Sequence, residues 1–433
     1  MISGHHYLTH FQHQGHLLHL LTPLRLQSLL LFPTPTEKTT DIVVTWSTFN
    51  DSLTSRVQYG KVVMDKEARG SAKLFVDGGK LKRYQWIHRV VLRDLEPNTK
   101  YIYHAGSEFG WSDMFAFKTP PAGDQWAVRA AIYGDMGSEN AHSMSYLQDE
   151  AQRGHFDVIL HVGDFAYDMD TDDAKVGDEF MRQIQPLAAT VPYMTCPGNH
   201  EEKYNFSNYA NRFSMPGPAP SLFYSFNLGP VHFVSISTEV YYYLQYGAKL
   251  IVNQYRWLEK DLQEANLPQN RESRPWIVLY GHRPMYCSDN HDPDCALEFT
   301  RVGIMGYFGL EPLLKKYGVD VAIWAHEHSY ERTWPLYDNV VYNGSKAEPY
   351  VNPGAPIHVI TGSAGCKEDT DKFRRDTPEW SAFRSSDYGY TRFKAYNSTH
   401  IYMEQVRDII SVDQGGQSID SLLLVKTKGL RFD

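Results

Sequence analysis

The sequence predicts an α/β protein in which an N-terminal β-sandwich precedes an α/β layered domain. Residues 38–119 contain short segments with a hydrophobic period of two, separated by turn residues, which is typical of half-buried strands. After residue 125 the pattern changes to apolar strands that alternate with helical stretches, which is typical of an α/β domain. Between them, residues 119–124 are rich in proline and glycine and form a predicted linker.

The first domain is predicted to span residues 38–120, with strands at 41–48, 56–60 and 87–92. Segment 95–103 contains a leucine, a turn proline and Tyr101, which opens the next strand. This arrangement resembles the tyrosine corner of fibronectin-type sandwiches. We therefore expect a fibronectin III-like β-sandwich.

The second domain is predicted to span residues 125–410 and is followed, over 411–433, by a C-terminal strand and a tail. Its predicted helices cover 144–153 and 253–265, the latter with apolar residues on one face. Its predicted strands lie at 128–133, 158–162, 231–237, 276–280 and 319–324.

Residues 1–37 are predicted to be an irregular segment. Leu17–Phe32 is leucine-rich but is interrupted by His19, Pro23 and Arg25, so it is too short to span a membrane and makes a poor signal peptide. Histidines crowd the first nineteen residues. We interpret this segment as an altered leader, from a changed first exon or a gene-model artefact, in preference to a metal-binding tail.

The composition limits the partners and the compartment. The 433 residues carry a net charge of −9, which argues against nucleic acid as the main partner. No apolar run is long enough for a membrane span. Asparagine-linked glycosylation sequons favour secretion and occur at Asn50, Asn205, Asn343 and Asn397.

The cysteines match no zinc-finger spacing; they are Cys196, Cys287, Cys295 and Cys366. Cys287 and Cys295 bracket a short polar loop and form either a disulfide or two reduced thiols.

Polar residues that suit metal coordination follow five strand ends. In open α/β sheets ligands bind beyond the carboxyl ends of the strands, so we expect these residues to converge. Each motif alone is more often a turn, a helix cap or a hydrogen-bonded core histidine. The ordered set indicates a metal centre and comprises Gly134-Asp135, Gly163-Asp164 with Tyr167, Gly198-Asn199-His200, Gly281-His282 and Ala325-His326-Glu327-His328.

Over residues 40–420, and in the order of these motifs, the chain resembles the metallophosphoesterase superfamily and, within it, the long-chain animal purple acid phosphatases. Tyr167 separates it from related phosphodiesterases, which usually lack a tyrosine ligand there. The resemblance implies a metallophosphoesterase α/β layered sandwich. It also implies an acid phosphatase that hydrolyses phosphate monoesters through a dinuclear metal centre and a metal-bound hydroxide.

The resemblance implies which residues hold each metal. Two carboxylates and a phenolate suit Fe(III), whose bond to tyrosinate gives the family its colour, whereas two imidazoles and an amide oxygen suit Zn(II), Fe(II) or Mn(II). With Asp164 bridging, Fe(III) is expected at Asp135, Asp164, Tyr167 and His328, and the divalent ion at Asp164, Asn199, His282 and His326. Ala325 departs from the family pattern, which has glycine there, and we expect a small effect.

Two histidines are candidate catalytic residues. His200 is expected to act as an acid or donor near the leaving group, or else to orient Asn199. His291 lies nine residues after His282, where the family has a substrate-facing histidine, and the alternative is a solvated loop histidine. Asp292 replaces a histidine of plant members. Glu201 and Glu327 are expected to hydrogen-bond ligand imidazoles.

The expected substrate is a small phosphate ester, in a secreted or lysosomal protein. A metal-dependent phosphodiesterase or nucleotide pyrophosphatase is the alternative activity. A non-catalytic secreted binding protein is the alternative outside enzymes, and the presence of suitable residues at all the ligand positions argues against it.

We predict that His291→Ala lowers turnover while both metals are retained, because the histidine would contact the phosphoryl group and not the metals. Steady-state kinetics and metal analysis of the purified variant check this. Unchanged kinetics would remove His291 from the site.

Overall fold

The computed structural model describes residues 26–33, 40–216, 221–290, 294–408 and 416–427. The N-terminal domain is a β-sandwich. One sheet has the strand order β1-β2-β6-β5, the other the order β4-β3-β7-β8 with β9 on β7. The strands are Leu26–Pro33 (β1), Ile42–Thr48 (β2), Arg56–Gly60 (β3), Lys66–Arg69 (β4), Ser71–Val76 (β5), Tyr84–Leu92 (β6), Lys100–Ser107 (β7), Gly110–Trp111 (β8) and Phe115–Lys118 (β9).

Alternating side chains of the two sheets form the core of the sandwich. Trp46, Tyr101 and Tyr103 are fully buried there. The Tyr101 hydroxyl accepts the backbone N–H of Glu96 at 3.0 Å, which confirms the predicted tyrosine corner. The predicted β-sandwich is likewise confirmed.

Strand β1 differs from the prediction of an irregular segment over residues 1–37. Leu26–Pro33 pairs antiparallel with β2, with Pro33 opposite Ile42 and Leu26 opposite Thr48. Pro23 and Arg25, which interrupt the leucine-rich run, both precede the strand. The segment lacks the hydrophobic alternation of the other strands, so its sequence pattern does not predict the pairing with β2.

The second domain follows the predicted alternation of strands and helices. Its helices are Met144–Gln152 (α1), Thr171–Ala188 (α2), Lys203–Arg212 (α3), Lys249–Ala265 (α4), Pro268–Ser273 (α5), Phe299–Val302 (α6) and Glu311–Lys316 (α7), with 3₁₀ turns at Asn199–Glu201, Glu239–Tyr241, Leu244–Tyr246 and Asp294–Ala296. Its strands are Val128–Tyr133 (β10), Val158–Val162 (β11), Tyr193–Cys196 (β12), Tyr224–Leu228 (β13), Val231–Ser235 (β14), Trp276–Tyr280 (β15), Gly303–Ile304 (β16), Tyr307–Phe308 (β17), Val321–Trp324 (β18), Tyr330–Thr333 (β19), Leu336–Tyr337 (β20), Val340–Val341 (β21), Ile357–Thr361 (β22), Ser381–Ser385 (β23), Gly389–Ala395 (β24), His400–Arg407 (β25) and Gln417–Val425 (β26).

Two mixed sheets form the centre of this domain. One runs β12-β11-β10-β24-β25-β26 and the other β13-β14-β15-β18-β22-β19-β23. Their inner faces share one apolar core, which joins Ile132 and Leu160 of the first sheet with Phe233 and Val278 of the second. A second core packs α4 and α7 on the outer face of the second sheet. The predicted α/β layered sandwich is confirmed.

Several predicted bounds agree closely with this structure. Strands β10, β11 and β15 have the predicted limits, whereas β18 begins at Val321 instead of residue 319. Helix α4 begins at Lys249, four residues before the predicted start. Strand β26 pairs with β25, so the C-terminal strand completes the first sheet of the second domain. No helix in the described part of the chain is long and apolar enough to cross a membrane.

The two domains are joined by a buried polar network around Asp178 of α2. Its carboxylate accepts hydrogen bonds from Arg83, from Gln85 at 2.5 Å and from Arg212 at 2.9 Å. Arg83 and Gln85 belong to the sandwich, whereas Arg212 ends α3. Asp178 and Arg212 are buried, so the Asp178 charge depends on Arg212 of its own domain and on Arg83 across the domain boundary.

His88 is a fully buried imidazole at the centre of the sandwich. It stacks on Trp46 at a centroid distance of 4.9 Å. Its Nε2 lies 2.9 Å from the Thr48 hydroxyl, which itself donates to the Asn50 carbonyl, so Nε2 carries the proton. Nδ1 then accepts from the Ser55 hydroxyl at 2.9 Å. This arrangement fits the neutral ring, and burial lowers the pKa of His88 to about 4.

We predict that His88 makes the sandwich less stable in acid. An unfolded histidine has a pKa near ~6.5, above the folded value of about 4. Between these two pKa values the unfolded state binds more protons than the folded state. The contribution of His88 to stability is therefore fully present above pH ~6.5 and is lost as the pH falls toward 4. Between pH 7 and pH 5 the loss from this residue is about 2 kcal/mol.

Urea unfolding of wild type and His88→Gln at both pH values checks this prediction, because glutamine can keep both hydrogen bonds without titrating. The variant should lose about 2 kcal/mol less than wild type. The exposed His155 supplies a control, His155→Gln, which should behave as wild type. Equal pH dependence of His88→Gln and wild type would contradict the prediction.

Candidate metal centre

The predicted site residues meet at one edge shared by the two sheets of the second domain. Asp135 and Asp164 follow β10 and β11 of the first sheet, whereas His282 and His326 follow β15 and β18 of the second. The edges are joined directly, because the backbone N–H of Gly134 donates to the Thr361 carbonyl of β22 at 2.9 Å.

One group of ligand atoms contains Asp135, Tyr167 and His328. The Tyr167 hydroxyl lies 2.9 Å from His328 Nε2 and 3.4 Å from Asp135 Oδ1. His328 Nε2 lies 3.6 Å from the same Asp135 oxygen. All three side chains are buried, so their polar atoms face one another away from bulk water.

A second group contains Asp164, Asn199, His282 and His326. His282 Nε2 lies 3.0 Å from Asn199 Oδ1 and 3.2 Å from Asp164 Oδ2. Asp164, His282 and His326 each offer one ligand atom, and these atoms lie within 4.8 Å of one another. The two groups are adjacent, because Asp135 Oδ2 accepts the backbone N–H of His326 at 3.0 Å.

The backbone at this edge turns sharply after each strand. Asp135, Asp164 and Tyr167 have φ values of 56°, 52° and 48°, a region that non-glycine residues seldom adopt. Gly198 allows close approach of the loops, since a Cβ there would lie 2.1 Å from Asp164 Oδ1. At Gly163, which has a φ of +86°, a Cβ would lie 2.4 Å from His282 Nδ1. Glycine is therefore required sterically at both positions.

Backbone carbonyls orient two of the imidazoles. His282 Nδ1 lies 2.9 Å from the Val162 carbonyl, and His328 Nδ1 lies 3.0 Å from the Asp369 carbonyl. A carbonyl only accepts, so in the neutral ring Nδ1 carries the proton and the Nε2 lone pair points into the site. Imidazoles that bind metals are oriented in the same way.

Glu201 has a different role from the one expected. Its carboxylate accepts the backbone N–H groups of Asp164, Phe165 and Gly198 at 2.9, 3.0 and 2.8 Å. The expected hydrogen bond to a ligand imidazole is replaced by bonds that hold the Asp164 and Asn199 loops together. A sequence pattern shows that a carboxylate is near a ligand but not which of its neighbours it contacts.

The electrostatics of the site favour bound positive charge. Burial raises the pKa of Asp135 well above its usual value, and the neighbouring Asp164 adds to the rise. Burial and the same carboxylates raise the pKa of Tyr167. Burial opposes protonation of His282, but Asp164 outweighs it and raises the pKa of His282 to about 10. A cation would offset the cost of ionising these buried acids.

His200 lies at the rim of the site. Its Nδ1 lies 2.6 Å from Asp168 Oδ1, and its ring centroid lies 4.3 Å from that of Tyr167. Its backbone N–H donates to Asp164 Oδ1 at 3.0 Å. Burial lowers the pKa of His200, but Asp164 and Asp168 outweigh it and raise the pKa to about 9.

The loop after His282 contains the remaining predictions. His291 and Asp292 lie outside the described residues. Cys287 and Cys295 are joined by a disulfide, which resolves the alternative left open by the sequence. Cys196 and Cys366 are free and buried.

Arg283 is a neighbour of the site that the sequence did not single out. Its NH1 lies 2.8 Å from His326 Nε2, and its Nε donates to Glu239 at 3.1 Å. Its position directly after His282 was the available signal, but one arginine beside a motif is usually a surface charge.

Comparison with known proteins gives three family models that together follow the domain order of the chain. The model for the N-terminal domain of purple acid phosphatases matches residues 31–119. The calcineurin-like phosphoesterase model matches residues 128–330. The model for the C-terminal part of iron/zinc purple acid phosphatase-like proteins matches residues 355–421.

Individual relatives agree with these models. Acid phosphatase type 7 of Danio rerio is 52% identical to this chain. The match covers 89% of this chain and 88% of that protein. The Homo sapiens protein of that name is 50% identical with the same shares covered. A purple acid phosphatase from yellow lupin (Lupinus luteus) seeds is similar in structure, with a TM-score of 0.76 at 26% identity over 92% of this chain and 74% of that one. The chain therefore belongs to the purple acid phosphatase family.

Proposed function

We propose that this protein is an acid phosphatase that hydrolyses phosphate monoesters at a dinuclear metal centre of the iron/zinc type. The observation that carries the proposal is the cluster of predicted ligand residues at the ends of strands from two sheets, in which the carboxylates, imidazoles and Tyr167 are buried and Asn199 is half-buried. Relatives named acid phosphatase type 7, which are 52% and 50% identical to this chain, support the same activity.

The donor set fits two different ions. Asp135, Tyr167 and His328 would hold Fe(III), because a phenol with a raised pKa needs a strong Lewis acid to ionise it. Asn199, His282 and His326 would hold Zn(II), or Fe(II) or Mn(II), which neutral imidazoles and an amide oxygen suit. Asp164 would contribute to both sites, because its Oδ2 lies 3.2 Å from His282 Nε2 and it precedes Tyr167 by three residues in the same loop.

When bound, such a pair of ions supplies Lewis acidity toward the phosphoryl group and an acidified water molecule. The chain contributes preorganisation. The Val162 and Asp369 carbonyls hold the His282 and His328 lone pairs toward the site. Glu201 holds the loops of Asp164 and Asn199 at a fixed separation. Little movement of the ligands is then needed during the reaction.

We assign His200 as the proton donor to the leaving oxygen. Asp168 fixes one face of the imidazole through Nδ1, which leaves Nε2 toward the site, 3.9 Å from Asp164 Oδ2. The neighbouring carboxylates favour its protonated form. A positioned imidazolium can protonate an alkoxide as the P–O bond breaks. His291 remains the proposed second substrate contact, on the resemblance alone.

We further propose that the protein is secreted or lysosomal. The Cys287–Cys295 disulfide is typical of proteins that fold in an oxidising compartment. The sequon asparagines are exposed, as glycosylation requires, at Asn50, Asn205, Asn343 and Asn397.

We predict that protein expressed through a secretory route contains iron and a second metal and has a broad visible band that Tyr167→Phe abolishes. The band would arise from ionised Tyr167 on Fe(III), and phenylalanine has no oxygen to bind. Metal analysis, the visible spectrum and hydrolysis of 4-nitrophenyl phosphate at acid pH check this prediction.

The matched control is Tyr133→Phe, which removes a buried hydroxyl that contacts Tyr193 at 3.0 Å and should leave the band intact. Two bound metals without a visible band would instead favour a colourless phosphodiesterase-type enzyme. Well-folded protein without metal would contradict the proposed activity.

We predict that His200→Ala lowers kcat about 10²-fold or more for an alkyl phosphate, because general acid catalysis typically contributes that much. The loss should be much smaller for 4-nitrophenyl phosphate, whose leaving group needs no proton. Parallel kinetics with the two substrates, together with metal analysis, separate proton donation from a structural role. Equal losses for both substrates would show that His200 only orients Asn199.

A further inference from the structure

A second cluster of metal-ligating groups lies outside the proposed catalytic centre. It comprises the sulfurs of Cys287 and Cys295, which are joined in a disulfide, and the carboxylates of Asp289 and Glu327. One ligand atom from each of the four residues lies within 4.8 Å of the others. Both carboxylates are fully buried, whereas the two cysteines are half-buried. This cysteine–carboxylate cluster has the composition and the size of a metal site, although its sulfurs are bonded to each other.

Each sulfur of the cluster faces one carboxylate. Cys295 Sγ lies 3.1 Å from Asp289 Oδ1, and Cys287 Sγ lies 3.6 Å from Glu327 Oε1. Zinc–sulfur bonds of about 2.3 Å and zinc–oxygen bonds of about 2.1 Å place the ligand atoms of a tetrahedral zinc ion about 3.4–3.8 Å apart. Both contacts are close to that spacing. The distance between the two sulfurs is the one that must increase, and breaking the disulfide bond allows this.

The carboxylates are held in place independently of the disulfide. The backbone N–H of Ser288 donates to the buried Glu331 carboxylate at 2.9 Å. The backbone N–H of Asn290 donates to the Lys372 carbonyl at 2.8 Å. Asp289 is therefore anchored on both sides, and the other carboxylate belongs to the buried segment between β18 and β19. Because neither anchor involves sulfur, reduction should leave both carboxylates where they are.

Reduction changes the charge that the cluster can carry. The sulfurs of a disulfide are uncharged, whereas a thiolate is a strong metal ligand. Two thiolates beside two carboxylates would place four anionic groups together in a largely buried position, and a divalent cation offsets the cost. Sulfur ligands favour Zn(II) over Mg²⁺ or Ca²⁺, which prefer sites made of oxygen alone.

We propose that reduction of the Cys287–Cys295 disulfide converts the cysteine–carboxylate cluster into a separate metal site that binds one Zn(II) ion. Two molecules of a small thiol supply two electrons and two protons as the protein S–S bond breaks, and they are oxidised to a disulfide. Zinc then displaces the two protons from the cysteines and binds both sulfurs together with Asp289 and Glu327. The inference concerns residues outside the catalytic centre and does not depend on the proposed function.

The test counts the zinc bound per chain in folded, metal-loaded protein by equilibrium dialysis and metal analysis. It is made before and after anaerobic treatment with tris(2-carboxyethyl)phosphine, which becomes the phosphine oxide with an oxygen from water. Reduced wild type should bind one zinc ion more than oxidised wild type. Cd(II) in place of zinc should give a sulfur-to-cadmium charge-transfer absorption. C287S/C295S keeps Cys196, Cys366 and the dinuclear centre, and should gain neither signal under the same treatment.

D289N keeps both cysteines, so it tests the cluster even if C287S/C295S fails to fold. It should weaken binding of the additional zinc at least about tenfold, because loss of groups that only support metal ligands already costs about 10–100-fold. D113N removes an exposed carboxylate of the sandwich and should bind the additional zinc as wild type does.

Folded, reduced wild type that binds no additional zinc would overturn the inference. Additional zinc retained by C287S/C295S, or unchanged affinity in D289N, would overturn it as well. None of these measurements uses hydrolysis, so failure of this inference and failure of the proposed function give different results.

Discussion

The structure depends on keeping two carboxylates, Asp135 and Asp164, ionisable in a buried position. Neither residue is in contact with bulk water, and burial alone would hold both carboxyls neutral. The fold meets this constraint by bringing the ends of strands from two sheets to one edge. Each carboxylate then faces imidazoles from the opposite sheet, and the loops that carry them adopt left-handed backbone conformations that only a closely fitted edge sustains.

Several groups around this edge hold loops and ligand imidazoles in position by hydrogen bonds. Glu201 binds three backbone N–H groups, and two carbonyls fix the proton positions on His282 and His328. Arg283 joins the same arrangement from outside through Glu239. These hydrogen bonds fix the positions of the proposed metal ligands. They explain how ligand residues from five separate loops meet at one site.

The sequence predicted what periodicity and strand-end motifs encode. Strands β10, β11 and β15 are strong apolar runs followed by glycine, so their limits and the residues after them could be read directly. Strand β1 could not, because its leucines lack alternation and its identity depends on pairing with β2. The contacts of Glu201 and the position of Arg283 depend on distances between loops far apart in the chain, which no local pattern records.

The carboxylate of Asp178 ties the sandwich to the layers that carry the metal ligands. Arg83 and Gln85 of the sandwich and Arg212 of the second domain all donate to it. Separation at the linker would leave the buried Asp178 carboxylate with Arg212 as its one donor among these three, and would leave buried Gln85 without this acceptor. The two domains are therefore expected to unfold as one cooperative unit. An inherited substitution at Arg83, in the domain without predicted ligands, would then reduce the amount of active enzyme without touching its catalytic chemistry.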